Sequence, residues 1–227
     1  AILIPLFLFA GRSLARTGAP GGRLWPWAAV SLATTVPLIF FQILVVPTGM
    51  MADTLLPGDR ILVLHFPKPH PGRGDVIIFH YPIDRRQMYV DRVIGLPGDR
   101  IRISGKTVYR NGAALREPYA VHKTTYTDAY RDNFPAKPAV TLYDSEREML
   151  AKDVVNGELV VPAGKYFVLG DNRDLALDSR FWGFVDSGDL IGQALLIYDS
   201  EEPAAGTTGA AAGATHHVRW NRLFKLL

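Results

Sequence analysis

A chain of 227 residues, 48% of them hydrophobic, has room for one membrane anchor and one soluble domain of ordinary size, not for two large domains. Its formal net charge of +3, with no long Lys/Arg run, argues against a nucleic-acid partner. Cysteine is absent, which excludes disulfides, thiolate catalysis and cysteine-ligated zinc, and no cofactor or metal is expected.

Residues 1–10 are apolar but too short to span a bilayer. They read as the tail end of a first anchor rather than a cleavable signal peptide, because no charged leading segment precedes them and a basic loop follows. That loop, residues 11–23, carries Arg12, Arg16 and Arg23 without an acidic residue, and the positive-inside rule places it in the cytoplasm. Residues 24–46 contain no charge and meet the roughly 20-residue requirement for a transmembrane helix. Trp25 and Trp27 suit the headgroup region at one end, and Pro37 is tolerated as a local kink. One crossing later, the remainder from Pro47 is expected outside the cytoplasm, its first segment close to the membrane surface.

Residues 47–227 read as a mainly β, largely antiparallel domain. Gly-Asp dipeptides precede short β-branched runs at Gly58-Asp59, Gly74-Asp75, Gly98-Asp99 and Gly188-Asp189, and are read as turn punctuation ahead of strands. Gly105-Lys106 and Asn111-Gly112 bracket a small hairpin strand. Residues 119–150 read as an inserted excursion, whose Tyr119, Tyr126, Tyr130 and Tyr143 are expected to pack a satellite sheet rather than form a contact face. Residues 203–215, rich in Ala, Gly and Thr, read as a mobile loop, and order returns at Val218. His216 and His217 have no carboxylate partner at metal-ligand spacing and read as a solvated pair.

Four segments carry a resemblance to a known family. Pro47-Thr48-Gly49-Met50-Met51-Ala52-Asp53-Thr54-Leu55 resembles the nucleophile segment P-S-G-S-M-x-P-T-L of type I signal (leader) peptidases. Asp91-Arg92-Val93-Ile94-Gly95-Leu96-Pro97-Gly98-Asp99 resembles their K-R-x-x-G-x-P-G-D segment. Gly170-Asp171-Asn172-Arg173-Asp174, continuing to Phe184, resembles their G-D-N-R-D-N-S-x-D-S-R-Y-W-G block, and Arg219-Trp220-Asn221-Arg222 resembles their usual ending.

The resemblance implies an antiparallel β catalytic domain anchored in the bacterial cytoplasmic membrane by one or more N-terminal helices, with the domain on the periplasmic side. It also implies a serine nucleophile, a neutral lysine as base, a serine that orients the lysine, and a hydroxyl at the oxyanion position. Met50, Asp91 and Ala176 stand at the first three of these positions, while Thr48 keeps the fourth. A thioether has no proton to lose, and a carboxylate near its ordinary pKa of about 3.9 is a weak base, so no Ser/Lys dyad can form. Arg92, Asp178 and Arg180 keep the framework charges, and Asp53 replaces a family proline.

By the same resemblance, a peptide groove corresponds to Gln42, Ile43, Leu44, Val45 and Val46 on one side and Met88, Tyr89 and Val90 on the other. The expected function is that of a catalytically inactive signal-peptidase-like membrane protein retained for peptide binding or as an accessory subunit. Its expected partners are the bilayer and signal peptides, an active paralogue or a larger membrane complex. The alternative is an active signal peptidase with atypical groups, either Thr48 attacking with Asp91 as base or Asp91 sharing a proton with Asp53 or Asp178.

Overall fold

A computed structural model describes residues 40–65, 70–136, 143–202 and 217–227. The strands are β1 (Phe41–Val45), β2 (Asp59–Leu64), β3 (Val76–His80), β4 (Met88–Gly95), β5 (Arg100–Ser104) and β6 (Thr107–Arg110), then β7 (Ala113–Ala114), β8 (Val154–Val155), β9 (Glu158–Val160), β10 (Lys165–Leu169), β11 (Val185–Asp186) and β12 (Leu190–Ser200). Among the described residues two α-helices interrupt them, α1 (Asp144–Lys152) and the single turn α2 (Ser179–Trp182). A larger sheet runs in the order β1-β2-β12-β3-β4-β10-β11 and a smaller one in the order β7-β6-β5-β9-β8, antiparallel throughout as the sequence suggests.

The turns are those the sequence marks. Gly58, Gly74 and Gly98 all have left-handed φ, and the following Asp59, Asp75 and Asp99 each accept the backbone N–H three residues back, from Leu56, Gly72 and Leu96. One turn device therefore opens β2, β3 and β5. The fourth dipeptide differs, since Gly188-Asp189 ends a short 3-10 turn before β12. Positive φ at Gly105-Lys106 and at Asn111-Gly112 closes the β5/β6/β7 meander with two tight turns.

Burial follows the two-residue period in β2, where Ile61 and Val63 face the core and Leu62 and Leu64 are half-buried. Strand β3 is buried on both faces, which suits its place inside the larger sheet. One apolar cluster joins the two sheets through Ile94, Phe167 and Leu169 against Ile101, Val108 and Leu159, and takes in Phe134 and Met149. A second, of Met51, Leu55, Ile61, Val63, Ile78 and Ile197, seats the loop that carries Met50.

Two expectations change. Phe41–Val45 is not the end of a membrane helix but an edge strand, with Phe41 opposite Leu64 and Val45 opposite Arg60, so the compact unit begins at Phe41 rather than Pro47. The run is apolar, aromatic and β-branched, and apolarity alone does not separate a helix from a strand. Residues 1–39, with most of the expected membrane segment, lie outside the described residues, among which no helix is long and apolar enough to cross a membrane.

Among its described residues the excursion builds no satellite sheet. It contains α1 and an isolated bridge from Val121 to Asn172, and its tyrosines are spent singly. Tyr130 packs on Phe134 and Phe181, Tyr119 lies under Arg92, Tyr143 joins the cluster around Tyr81, and Tyr126 is exposed. The mobile loop expected at 203–215 and His216 lie outside the described residues, and His217 is exposed.

The C-terminal segment clasps the loop after Met50. Arg222 donates to Asp59 Oδ2 at 2.6 Å and to the Thr54 carbonyl at 2.8 Å, and Arg219 donates to Asp59 Oδ1 and the Pro57 carbonyl. Burial pushes the Asp59 carboxyl up, but hydrogen bonds from Arg222, Leu56 and Ser200 outweigh it and hold it below the ordinary carboxylate range. Arg222→Ala is expected to lower stability by about 1–3 kcal/mol in denaturant titrations at neutral pH. Because Asp59 is depressed, its contribution is present above the unfolded value of about 3.9 and is lost as pH falls, so the deficit should shrink in acid.

Candidate functional site

The three positions expected at a catalytic centre come from three distant segments and meet at Gly170. A Cβ placed on Gly170 would collide with the Ala176 Cβ, stand 2.8 Å from the Met50 carbonyl oxygen and 3.4 Å from Asp91 Oδ1. Asn172 ties the same corner together, its N–H donating to the Met50 carbonyl at 3.0 Å and its side-chain amide to the Gly49 carbonyl at 3.1 Å. Gly170→Ala is therefore expected to lower the melting temperature, by overpacking worth about 1–3 kcal/mol, because it forces the Met50 loop off the Ala176 segment.

Asp91 sits on β4 opposite Ile77, 1% exposed, and neither carboxylate oxygen has a hydrogen-bond partner among the described residues. Burial drives its pKa well above the ordinary range, with Asp178 and Asp171 adding to the effect and Arg180 opposing it. Burial thus favours the protonated form of this side chain. Met50 is half-buried, and Ala176, 4% exposed, offers no polar atom. Met51 beneath it is buried, and its Sδ accepts the Asp171 N–H.

The framework is intact, with partners the sequence does not reveal. Arg180 grips Asp178 through two hydrogen bonds of 2.8 and 2.7 Å, and Asp178 also caps α2 and accepts the Gly170 N–H. Arg92 grips Asp171 through bonds of 2.9 and 2.6 Å, reaches the Gly74 carbonyl, and lies 4.0 Å from the centre of the Tyr119 ring. Thr54 donates to the same Asp171, and a third fork joins Arg173 to Glu117. Sequence reasoning misses Gly170, Asp171, Glu117 and Thr54 as site residues, although the Gly-Asp-Asn-Arg run marks where the first two lie.

Neither atypical catalytic arrangement is assembled. Thr48 lies in an exposed bend, and Asp91 receives no hydrogen bond from it. Asp53 points to the surface, its side chain 69% exposed and 3.6 Å from Lys123, and Asp178 is committed to Arg180. The Ala52–Asp53 peptide is cis. Among the described residues, no three His, Cys, Asp or Glu side chains are grouped to hold a metal ion.

Beside this centre runs an apolar groove of about 170 Å³, lined by Leu44, Val45, Val46, Pro47, Ile61, Ile78, Met88, Tyr89 and Val90. Strands β1 and β4 are three strands apart in sheet order, with β2, β12 and β3 between them, and reach one groove because the sheet curls; β12 has register breaks against both neighbours that favour this. Of the expected groove residues, Gln42 and Ile43 do not line it: Gln42 bonds His65 at 2.8 Å and Ile43 is exposed. Among the described residues both walls present unpaired backbone, since β1 ends the sheet and β10 pairs with β4 only from Arg92 onward. An extended peptide can therefore add as a strand, with its side chains in the apolar floor.

Comparison with known proteins agrees with the motifs. A family model described as signal peptidase, peptidase S26, matches residues 24–199. A signal peptidase I of Bacillus caldolyticus is 35% identical over 180 residues, covering 78% of this chain and 90% of that protein. One from Buchnera aphidicola (strain APS) is 30% identical over 210 residues, covering 68% of this chain and 67% of that one. In one from Pseudomonas fluorescens, 33% identical over 182 residues and 68% of this chain, the match spans 63% of the relative's length. A solved signal peptidase I from Enterococcus faecalis V583 is 32% identical and aligns over 56% of this chain and 97% of its own, with a TM-score of 0.42. With a family model that matches residues 24–199, including the larger sheet and the Gly170 corner, the chain belongs to the signal peptidase family, peptidase S26.

Proposed function

We propose that this chain is a catalytically silent member of its family that holds an extended, signal-peptide-like segment in the β1/β4 groove without cutting it. The observation that carries the reading is the corner at Gly170, where a thioether residue, a buried carboxyl without a hydrogen-bond partner among the described residues and an alanine take the three chemical positions beside the groove. A nucleophile and base must lie within about 3 Å of each other to transfer a proton, and this corner holds neither. The rival reading, an active peptidase with atypical groups, has no geometric observation in its favour.

The chain works at the periplasmic face of the bacterial cytoplasmic membrane, with the bilayer and either an active paralogue or a larger membrane complex as partners. Support comes from the charge-free segment leading into β1 and from the apolar residues Phe41, Ile43 and Val45 left exposed on that strand. The groove is tested by photocrosslinking a radiolabelled signal peptide to the chain in detergent. The expected result is an adduct on β1 or β4 that Val90→Arg reduces at least about tenfold, equivalent to about 1.4 kcal/mol of binding. Undiminished crosslinking would place the peptide elsewhere.

A further inference from the structure

One buried acid beside Gly170 stands outside the ion pairs that surround it. Asp171 is gripped by Arg92, Asp178 by Arg180, and Arg173 by Glu117, so each of these groups has its own counter-charge. Asp91 has none: both of its oxygens are without a hydrogen-bond partner among the described residues, although the side chain is 1% exposed. A buried carboxyl with two free oxygens is costly for a fold to keep unless something occupies it. A donor that carries positive charge would satisfy both oxygens at once, and among the described residues no three metal-ligating side chains gather there.

Asp91 does not itself line the groove but adjoins one of its walls along the chain. It follows Met88, Tyr89 and Val90 directly on β4, and those three residues form one groove wall. The half-buried Met50 borders the same corner, its carbonyl oxygen and Asp91 Oδ1 both lying close to where a Gly170 Cβ would stand, and its unbranched side chain can move aside at little energetic penalty. We propose that Asp91 is the counter-charge for one cationic side chain, a lysine or an arginine, of the peptide lying in the groove. This rests on the peptide-binding reading above and narrows it: the preferred peptide is apolar and extended, with a single basic residue brought over Met50.

Binding forms no covalent bond. The incoming ammonium or guanidinium keeps its proton, and Asp91 gives up its own to solvent as it becomes the paired carboxylate. Asp171, Asp178 and Arg180, which face it from the neighbouring loop, and Arg92 next to it on β4, stay in their existing pairs.

The test uses the full chain in mild detergent and fluorescent twelve-residue peptides of Leu, Ala and Val. One lysine is scanned through the central positions, and each peptide is matched by a norleucine isostere. At one position the lysine peptide is expected to bind at least about tenfold tighter than its isostere, the scale of one charge-assisted hydrogen bond. The preference should vanish in Asp91→Asn, and calorimetry in two buffers should find about one proton released with lysine and none with norleucine. If lysine and norleucine peptides bind equally at every position, the cation site is overturned while the groove stands. If neither binds, the groove reading falls and this proposal with it. A preference that persists in Asp91→Asn, in protein shown to be folded by its melting curve, also overturns it.

Discussion

Met50→Ser, Asp91→Lys and Ala176→Ser combined are expected to give a chain that shortens a preprotein at least about 10³-fold faster than the unaltered chain, measured as product mass over time. The figure is modest because a nucleophile and its base act as a unit, and loss of either alone removes most of the effect. The same coupling makes each single replacement inert. A serine at 50 beside neutral Asp91 has no base, and a lysine at 91 beside Met50 has no hydroxyl to activate. The scaffold should accept the change, because the three positions already converge on Gly170 and the Arg92–Asp171 and Arg180–Asp178 pairs hold that corner independently. Burial at position 91 also favours a neutral amine, the form a lysine base requires. A folded triple replacement that binds signal peptide but never cuts it would mean that these three positions are not the whole of the loss.

Removing the buried acid should stabilise the protein. Asp91→Leu is expected to gain about 1–3 kcal/mol at neutral pH, because it replaces an unpartnered buried polar group with an apolar one of similar reach. The pH dependence is diagnostic. Asp91 is raised, so the unfolded chain ionises it near 3.9 while the folded chain keeps its proton. The native chain therefore loses stability as pH rises from about 4 until the folded value is reached, and is flat beyond it. Asp91→Asn cannot ionise and should lack this decline when melting temperature is followed from acid to neutral pH. Identical profiles for the native chain and Asp91→Asn would show that Asp91 is charged in the fold.

Much of this architecture can be read from the chain before folding, and what is hidden has a physical cause. The Gly-Asp turns are legible because left-handed φ and a carboxylate reaching back three residues leave a local signature, as at Leu96 to Asp99. Met50, Asp91 and Ala176 are legible because each lies in a run otherwise close to its family pattern. Strand β1 is not, since Phe41 to Val45 is as apolar as the segment before it and only pairing with β2 makes it a strand. Nor is the groove floor, because Ile61 and Ile78 are separated in the sheet by β12, which arrives from more than a hundred residues later. The partner of Arg92 is hidden for the same reason: Asp171 and Asp178 are equally acidic in sequence, and the fold alone assigns the first to Arg92 and the second to Arg180.

The most direct measurement incubates the purified chain in detergent with an exported preprotein and follows both cleavage and retention of the intact substrate. The expected result is that the preprotein stays full-length and is retained through its signal segment. Turnover by the unaltered chain that disappears on Thr48→Ala or Asp91→Ala would contradict the account, because it would place working chemistry in a corner where Met50, Asp91 and Ala176 offer none.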